Sequence, residues 1–137
     1  VSLDTLLEES DFVSLHCPAT PETRHLVNTE RLQQMKQRAF LINTARGDVV
    51  DEAALVQALR AGTIAGAGLD VFEREPVVTE DLLTMENVVL LPHLGSASVF
   101  TRNAMGQLVV DNLRSWFEEG KPLTPVAETP WPSKRAR

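Results

Sequence analysis

The stretch LINTARGDVVDEAAL, residues Leu41 to Leu55, opens as a buried strand and closes as a helix. Phe40, Leu41 and Ile42 are the bulky or β-branched apolar residues that a sheet interior favours. Asn43, Thr44, Arg46, Gly47 and Asp48 interrupt them at once; Asp51 can cap a helix, and helix formers take over at Glu52. Strand, short polar turn and helix in that order are half of a βαβ unit. Arg46 is the odd member, a guanidinium at the mouth of an apolar strand. It reads either as a solvated loop charge or as an anion-binding group at the carboxyl end of a sheet.

The same rhythm extends in both directions. Ser2 can cap a short helix over Leu3 to Glu9, and Phe12 to Leu15 reads as a strand that Pro18 and Pro21 keep from continuing. Asn28 or Thr29 caps a helix over Glu30 to Lys36, and Ala39 to Ile42 is the strand of the opening stretch. Its helix, Glu52 to Ala61, stops at Gly62. Ile64 to Val71 is a small, glycine-rich strand, and one helical turn over Glu80 to Met85 leads to a strand over Val88 to Leu91, ended by Pro92. A long helix from about Ser98 to Glu119 carries Met105, Leu108, Val109, Asn112, Leu113 and Trp116 at helical spacing. Short apolar strands alternating with helices predict an α/β fold, a parallel sheet covered on both faces with right-handed crossovers. Beyond Gly120 the chain becomes proline-rich and ends basic, which predicts a poorly ordered tail over 120–137.

Composition bounds the class without naming a function. A chain of 137 residues with 43% apolar and 23% charged residues is an ordinary globular domain, not a disordered segment. A net charge of −6 tells against general affinity for nucleic acid or an anionic membrane, since both need a basic surface. The single cysteine, Cys17, rules out an intrachain disulfide and suits a reducing, cytoplasmic setting. No apolar run reaches the length of a membrane span, and the acidic start is unlike a signal peptide.

In an open parallel sheet, ligands bind beyond the carboxyl ends of the strands. The residues there are His16-Cys17-Pro18, then Asn43-Thr44-Ala45-Arg46, then Asp70 with VFEREP, then Pro92-His93-Leu94-Gly95-Ser96. Every ending is polar and ionisable, which a purely structural sheet does not require. Arg46, Glu75 and His93 form the candidate catalytic set. Arginine presents a planar fork that matches a carboxylate bidentately. Histidine exchanges a proton near neutral pH, and a neighbouring carboxylate favours its charged form. Glu75 precedes Pro76, which biases its backbone towards extended conformations. Together they would bind a 2-oxo acid by its carboxylate and protonate its carbonyl oxygen while another species supplies hydride. Taken singly, each also reads as an ordinary loop residue; the joint placement at successive strand ends carries the inference.

Other constellations fail. Gly66-Ala67-Gly68 begins like a phosphate loop, but the third glycine position is Val71 and the pair lies inside a strand, where small residues serve close packing. His16, Cys17, His25 and His93 are too few and too irregularly spaced for a metal site, so none is expected. Ser96, His93 and Asp70 do not form a hydrolase triad, because HLGSAS is not a nucleophile elbow.

The segments SDFVSLHCPATPETRHLVN, LINTARGDVVDEAALVQAL, AGAGLDVFEREP and LLPHLGSAS together resemble the D-isomer-specific 2-hydroxyacid dehydrogenases, in family order and spacing from Val1 to about Val126. The resemblance implies a Rossmann-like fold and an oxidoreductase that moves hydride between NAD or NADP and a small 2-oxo or 2-hydroxy acid, in a homodimeric parent enzyme. It implies that Arg46 binds the substrate carboxylate, that Glu75 partners the proton-transferring His93, and that Asp70 reaches the nicotinamide end of the cofactor. Cys17, Pro18, Thr44, Ala45, Arg46, His93, Gly95 and Ser96 would line the same cofactor cleft. PHLGSAS looks more like the glyoxylate/hydroxypyruvate reductases than the phosphoglycerate dehydrogenases, whose histidine is more often followed by Gly-Ala-Ser.

Family members are longer. They carry a substrate domain and the first half of the dinucleotide fold ahead of the point that matches Val1. Residues 1–119 thus resemble the C-terminal part of an NAD(P)-binding domain, with its long helix near 98–119. The glycine-rich loop and the residue that selects NAD or NADP fall outside the resemblance. The expectation is a truncated or fragmentary product, inactive by itself. The rival reading is a non-catalytic cofactor-domain fragment that acts as a binding or dimerisation module.

Overall fold

The computed structural model describes residues 1–127, in two compact units, Val1–Gly95 and a second that begins at Ser96. In the first unit, strands β1 (Phe12–Leu15), β2 (Phe40–Asn43), β3 (Gly66–Leu69) and β4 (Val88–Leu90) form one parallel sheet in the order β1-β2-β3-β4. Val13 pairs with Leu41, Leu41 with Ala67, and Ala67 with Val88, so equivalent side chains line up across the sheet. Helix α1 (Leu3–Glu9) precedes β1, and α2 (Thr29–Gln34), α3 (Glu52–Arg60) and α4 (Glu80–Leu83) occupy the connections between strands. The Ser2, Asn28 and Asp51 side chains accept the backbone N–H groups of Thr5, Arg31 and Ala54, satisfying donors that each helix start leaves open.

One face of the sheet builds the core. Val13, Leu15, Leu41, Ala67 and Leu69 are buried there with Leu32, Val49, Leu55, Val56, Leu59 and Ile64. The opposite face carries Phe12 and Phe40, which stack with ring centroids 5.4 Å apart and remain 70% and 38% exposed. The expected cover on both faces is therefore absent from this unit among the described residues. Strand order explains it: right-handed crossovers between successive neighbours all return over the same side of a sheet. Periodicity in the chain reveals strands and helices but not strand order, so the one-sided cover was invisible to it.

The glycines of β3 act as close-packing residues, as their setting predicted. A Cβ on Gly66 would lie 2.6 Å from the Asn87 carbonyl oxygen, and one on Gly68 would lie 3.2 Å from Ile42 Cδ1. β3 itself is shorter than the apolar run around it.

The second unit is built on α5 (Val99–Glu119), capped by Ser98 at its start and ended by Gly120 in the left-handed region at φ 75°. Past Gly120 the chain turns back on the helix: Ser115 Oγ donates to the Lys121 carbonyl at 2.8 Å, and the Thr124 N–H donates to Asn112 Oδ1 at 3.0 Å. The rest of the tail expected over 120–137, residues 128–137, lies outside the described residues. Met105, Leu108, Val109 and Leu113 of the helical stripe are exposed.

A one-sided core makes unequal demands on its apolar residues. Leu41→Ala, at a fully buried position, should cost about 2–5 kcal/mol in urea unfolding of the chain. Phe12→Ser on the open face should cost less than about 1 kcal/mol. Equal losses at the two sites would contradict a core confined to one face.

Candidate active site

The site begins where β2 ends. Asn43, the last strand residue, is buried, and its side chain folds the chain over itself: Oδ1 accepts the Ala45 N–H at 3.1 Å and Nδ2 donates to the Arg46 carbonyl at 3.0 Å. This local turn brings Arg46 to the rim with its side chain exposed. Arg46 Nη1 donates to the Ala45 carbonyl at 2.6 Å, and the guanidinium makes no ion pair among the described residues.

Gly47 then opens a single 3₁₀ turn, Gly47–Val49. Its φ is ordinary; what demands glycine is proximity. A Cβ here would sit 1.9 Å from the Phe72 carbonyl carbon and 2.4 Å from the Glu73 nitrogen. The segment after β3 therefore crosses directly over the segment after β2, which brings the Glu75 loop to the Arg46 turn.

After β3 come Asp70 and the Glu75 loop. Asp70 is 5% exposed, and its two carboxylate oxygens accept the Leu94 N–H at 2.7 Å and the Gly95 N–H at 3.0 Å. These two bonds hold the loop after β4, in which His93 takes a left-handed φ of 55°. Such a conformation is uncommon for a residue with a side chain and persists where its surroundings impose it. Glu75 sits at the tip of a tight turn closed by the Val77 N–H to Arg74 carbonyl bond, and the Glu75–Pro76 peptide is cis. Glu75 Oε1 accepts the Phe72 N–H at 3.0 Å, and Oε2 meets His93 Nδ1 at 2.8 Å.

The electrostatics follow from those contacts. The His93 hydrogen bond, then the Phe72 N–H and the nearby charges of His93 and Arg46, hold the Glu75 carboxyl below the usual carboxylate range, against an opposing effect of burial. An ionised carboxylate only accepts, so the proton in this contact belongs to His93 Nδ1. Nε2 is left as the ring nitrogen able to exchange a proton with a ligand. Phe72, Glu75, Pro76, Val78, Pro92 and His93 line a cavity of about 190 Å³. A second cleft, of about 560 Å³, is lined by His16, Cys17, Pro18, Ala19, Thr44, Ala45 and Arg46.

The first unit thus brings together Arg46, Glu75 and His93, with Cys17, Pro18, Thr44 and Ala45 beside Arg46 and with Asp70 bonded to Gly95. Ser96 begins the second unit and is described only with it. The sequence-level reading missed Asn43 as the residue that builds the Arg46 turn, although an asparagine closing an apolar strand is a recognisable turn signal. It also missed Glu52, which is 6% exposed and bonded to the Glu75 loop. Nothing in a helix-start glutamate distinguishes that role from an ordinary surface position. Among the described residues, no three His, Cys, Asp or Glu side chains gather as metal ligands would.

Known proteins resemble this chain in sequence and fold. A family model described as D-isomer specific 2-hydroxyacid dehydrogenase, NAD binding domain, matches residues 1–95. A glyoxylate reductase of Korarchaeum cryptofilum is 59% identical over 122 residues, covering 88% of this chain and 36% of the relative. A glyoxylate/hydroxypyruvate reductase B of Serratia proteamaculans is 56% identical over 112 residues, or 81% of this chain and 34% of the relative. The crystal structure of an NADPH-dependent glyoxylate/hydroxypyruvate reductase from Sinorhizobium meliloti, in complex with NADP and malonate, aligns with a TM-score of 0.88. That match has 56% identity and covers 95% of this chain and 41% of the other. The chain spans about a third of the length of the curated relatives it matches.

The lowered Glu75 pKa has a thermodynamic sign. A depressed carboxyl stabilises the folded state above its unfolded pKa, and that contribution is lost as pH falls through the folded value. Carbon-13 titration of the Glu75 carboxyl should give a midpoint below that of an ordinary glutamate. In His93→Asn, a residue that tolerates the left-handed backbone, the midpoint should climb back. A midpoint unchanged by this substitution would dissolve the pairing.

Proposed function

The chain belongs to the D-isomer-specific 2-hydroxyacid dehydrogenases, through their NAD-binding domain, and from that premise we propose that it supplies the carboxylate-binding and proton-transfer groups of a reductase. That enzyme reduces a small 2-oxo acid, glyoxylate or hydroxypyruvate, to the 2-hydroxy acid with NADH or NADPH. The observation that carries the reading is the 2.8 Å bond from His93 Nδ1 to Glu75 Oε2, with Arg46 near enough to act on the same carboxylate.

Each residue has a definable task. Arg46 takes the substrate carboxylate in its planar fork and draws electron density from the adjacent carbonyl. Glu75 fixes the imidazole by holding Nδ1–H. Nε2, when protonated, gives its proton to the carbonyl oxygen as that oxygen gains charge, and it accepts the proton in the reverse direction. Reduced nicotinamide, when bound, supplies the hydride to C2.

The residues present fit one end of that cofactor. The cleft of about 560 Å³ at Cys17, Pro18, Thr44, Ala45 and Arg46 lies at the carboxyl ends of β1 and β2, where an open parallel sheet holds its ligands. Asp70 and Gly95, joined by a hydrogen bond, complete the proposed nicotinamide side within the first unit. The pyrophosphate would be held by other residues, because the one Gly-x-Gly of this chain lies inside β3.

We also take the enzyme to be a cytoplasmic homodimer. The exposed apolar residues of α5, among them Phe100, Val109 and Leu113, support association. The lone cysteine supports a reducing compartment. A purely structural module would not need the His93–Glu75 bond, which favours the enzyme over the dimerisation-module reading.

Oxidation of NADPH or NADH with glyoxylate tests the proposal in the full-length enzyme. His93→Gln should lower kcat about 10²- to 10⁴-fold, and Arg46→Lys should raise the KM for glyoxylate at least about tenfold. Isolated as 137 residues, the chain should turn nothing over. Near-normal turnover of His93→Gln would remove His93 from the mechanism.

A further inference from the structure

Glu52, the first residue of α3, is buried against a loop, not beside a cation: the residue is 6% exposed and forms no ion pair among the described residues. Oε1 accepts the Glu73 N–H at 2.5 Å, and Oε2 accepts the Thr79 hydroxyl at 2.6 Å. Those two donors lie on either side of the turn from Arg74 to Val77 that presents Glu75. One carboxylate therefore closes both ends of the loop that carries the partner of His93.

A second tie reinforces the first. Glu73 Oε1 meets His25 Nε2 at 2.9 Å, while His25 Nδ1 lies 3.9 Å from Asp51. His25 belongs to the loop after β1, takes a left-handed φ of 49°, and donates its N–H to the Asp48 carbonyl at 2.8 Å. The loops that follow β1, β2 and β3 are thus joined through Glu52 and Glu73. Asp48, Asp51, Glu52 and Glu73 are the acidic groups around this junction, and His25 is its titratable base.

Burying a carboxylate is costly unless hydrogen bonds replace its water. A helix start needs no buried glutamate, since the Asp51 side chain already caps α3. Glu75 is itself only partly covered, at 36% side-chain exposure, and its bond to His93 requires the loop to hold its place. Catalytic groups must be kept within about half an ångström of their productive geometry.

We propose that Glu52 is a positioning residue for proton transfer, clasping the Glu73–Thr79 loop so that Glu75 meets His93. The proposal rests on the reductase reading of the His93–Glu75 pair.

Two variants test it. Glu52→Gln preserves volume but turns one acceptor into a donor that faces another donor, and Thr79→Val removes one bond while leaving Glu52 in place. In the full-length enzyme, Glu52→Gln should lower kcat about 10- to 100-fold with the KM for glyoxylate, set by Arg46, moving less than about threefold. Thr79→Val should follow with a smaller loss. In the 137-residue chain, the carbon-13 titration midpoint of Glu75 should rise in both variants towards that of an ordinary glutamate. A folded Glu52→Gln with wild-type kcat, or with the Glu75 titration unmoved, overturns the clasp. Should Glu52→Gln fail to fold, the same two readouts on Thr79→Val decide it. Retained turnover in His93→Gln would instead refute the reductase reading, and the Glu75 titration would still decide whether Glu52 positions that loop.

Discussion

The contact between His93 Nδ1 and Glu75 Oε2 lies at the protein surface, with the two side chains 49% and 36% exposed. Exposed ion pairs contribute little by themselves, because water screens the charges and two side chains must be ordered to meet. A contact of this kind becomes dependable only if the backbone delivers both partners already in place. Much of the surrounding structure does that. Asp70 grips the amides that follow His93, the Phe72 amide fixes one oxygen of Glu75, and the backbone on the amino side of Glu75 lies against a residue with no side chain at Gly47.

The parallel sheet supplies the common frame. Its strands end side by side, so segments distant in sequence emerge as neighbours: Asn43 is in register with Leu69 across β2 and β3, and the Asp70 N–H donates to the Asn43 carbonyl at 2.9 Å. The turn that presents Arg46 and the loop that presents Glu75 start from that shared point. Helix α3 then takes part in the site through Glu52 instead of merely covering the sheet. Fold and chemistry meet in a few backbone hydrogen bonds at one rim.

The elements were legible in the chain because their signals are local. Ser2, Asn28 and Asp51 announce helix starts, Pro18 and Pro92 follow strands, and alternation of short apolar runs with helices specifies a parallel sheet. Arg46, Glu75 and His93 stood out once the ends of consecutive strands were compared. What escaped detection depends on close approach between distant segments. The passage of Phe72 over Gly47, the burial of Glu52 and the left-handed backbone at His93 leave no periodic trace. The exposed second face of the sheet escaped for a related reason, since strand order is a tertiary property.

Electrostatically the rim is arranged in layers. Asp70 and Glu52 are buried and spend their oxygens on backbone and hydroxyl donors, whereas Glu75 reaches His93 and Arg46 keeps its guanidinium exposed and available to an anion. The central claim is that Glu75 serves proton transfer and not merely the fold. Turnover of glyoxylate by Glu75→Gln in the full-length enzyme tests this most directly. The structure predicts a kcat lower by about a hundredfold or more, with the KM for glyoxylate nearly unchanged. Wild-type kcat in that variant would contradict it.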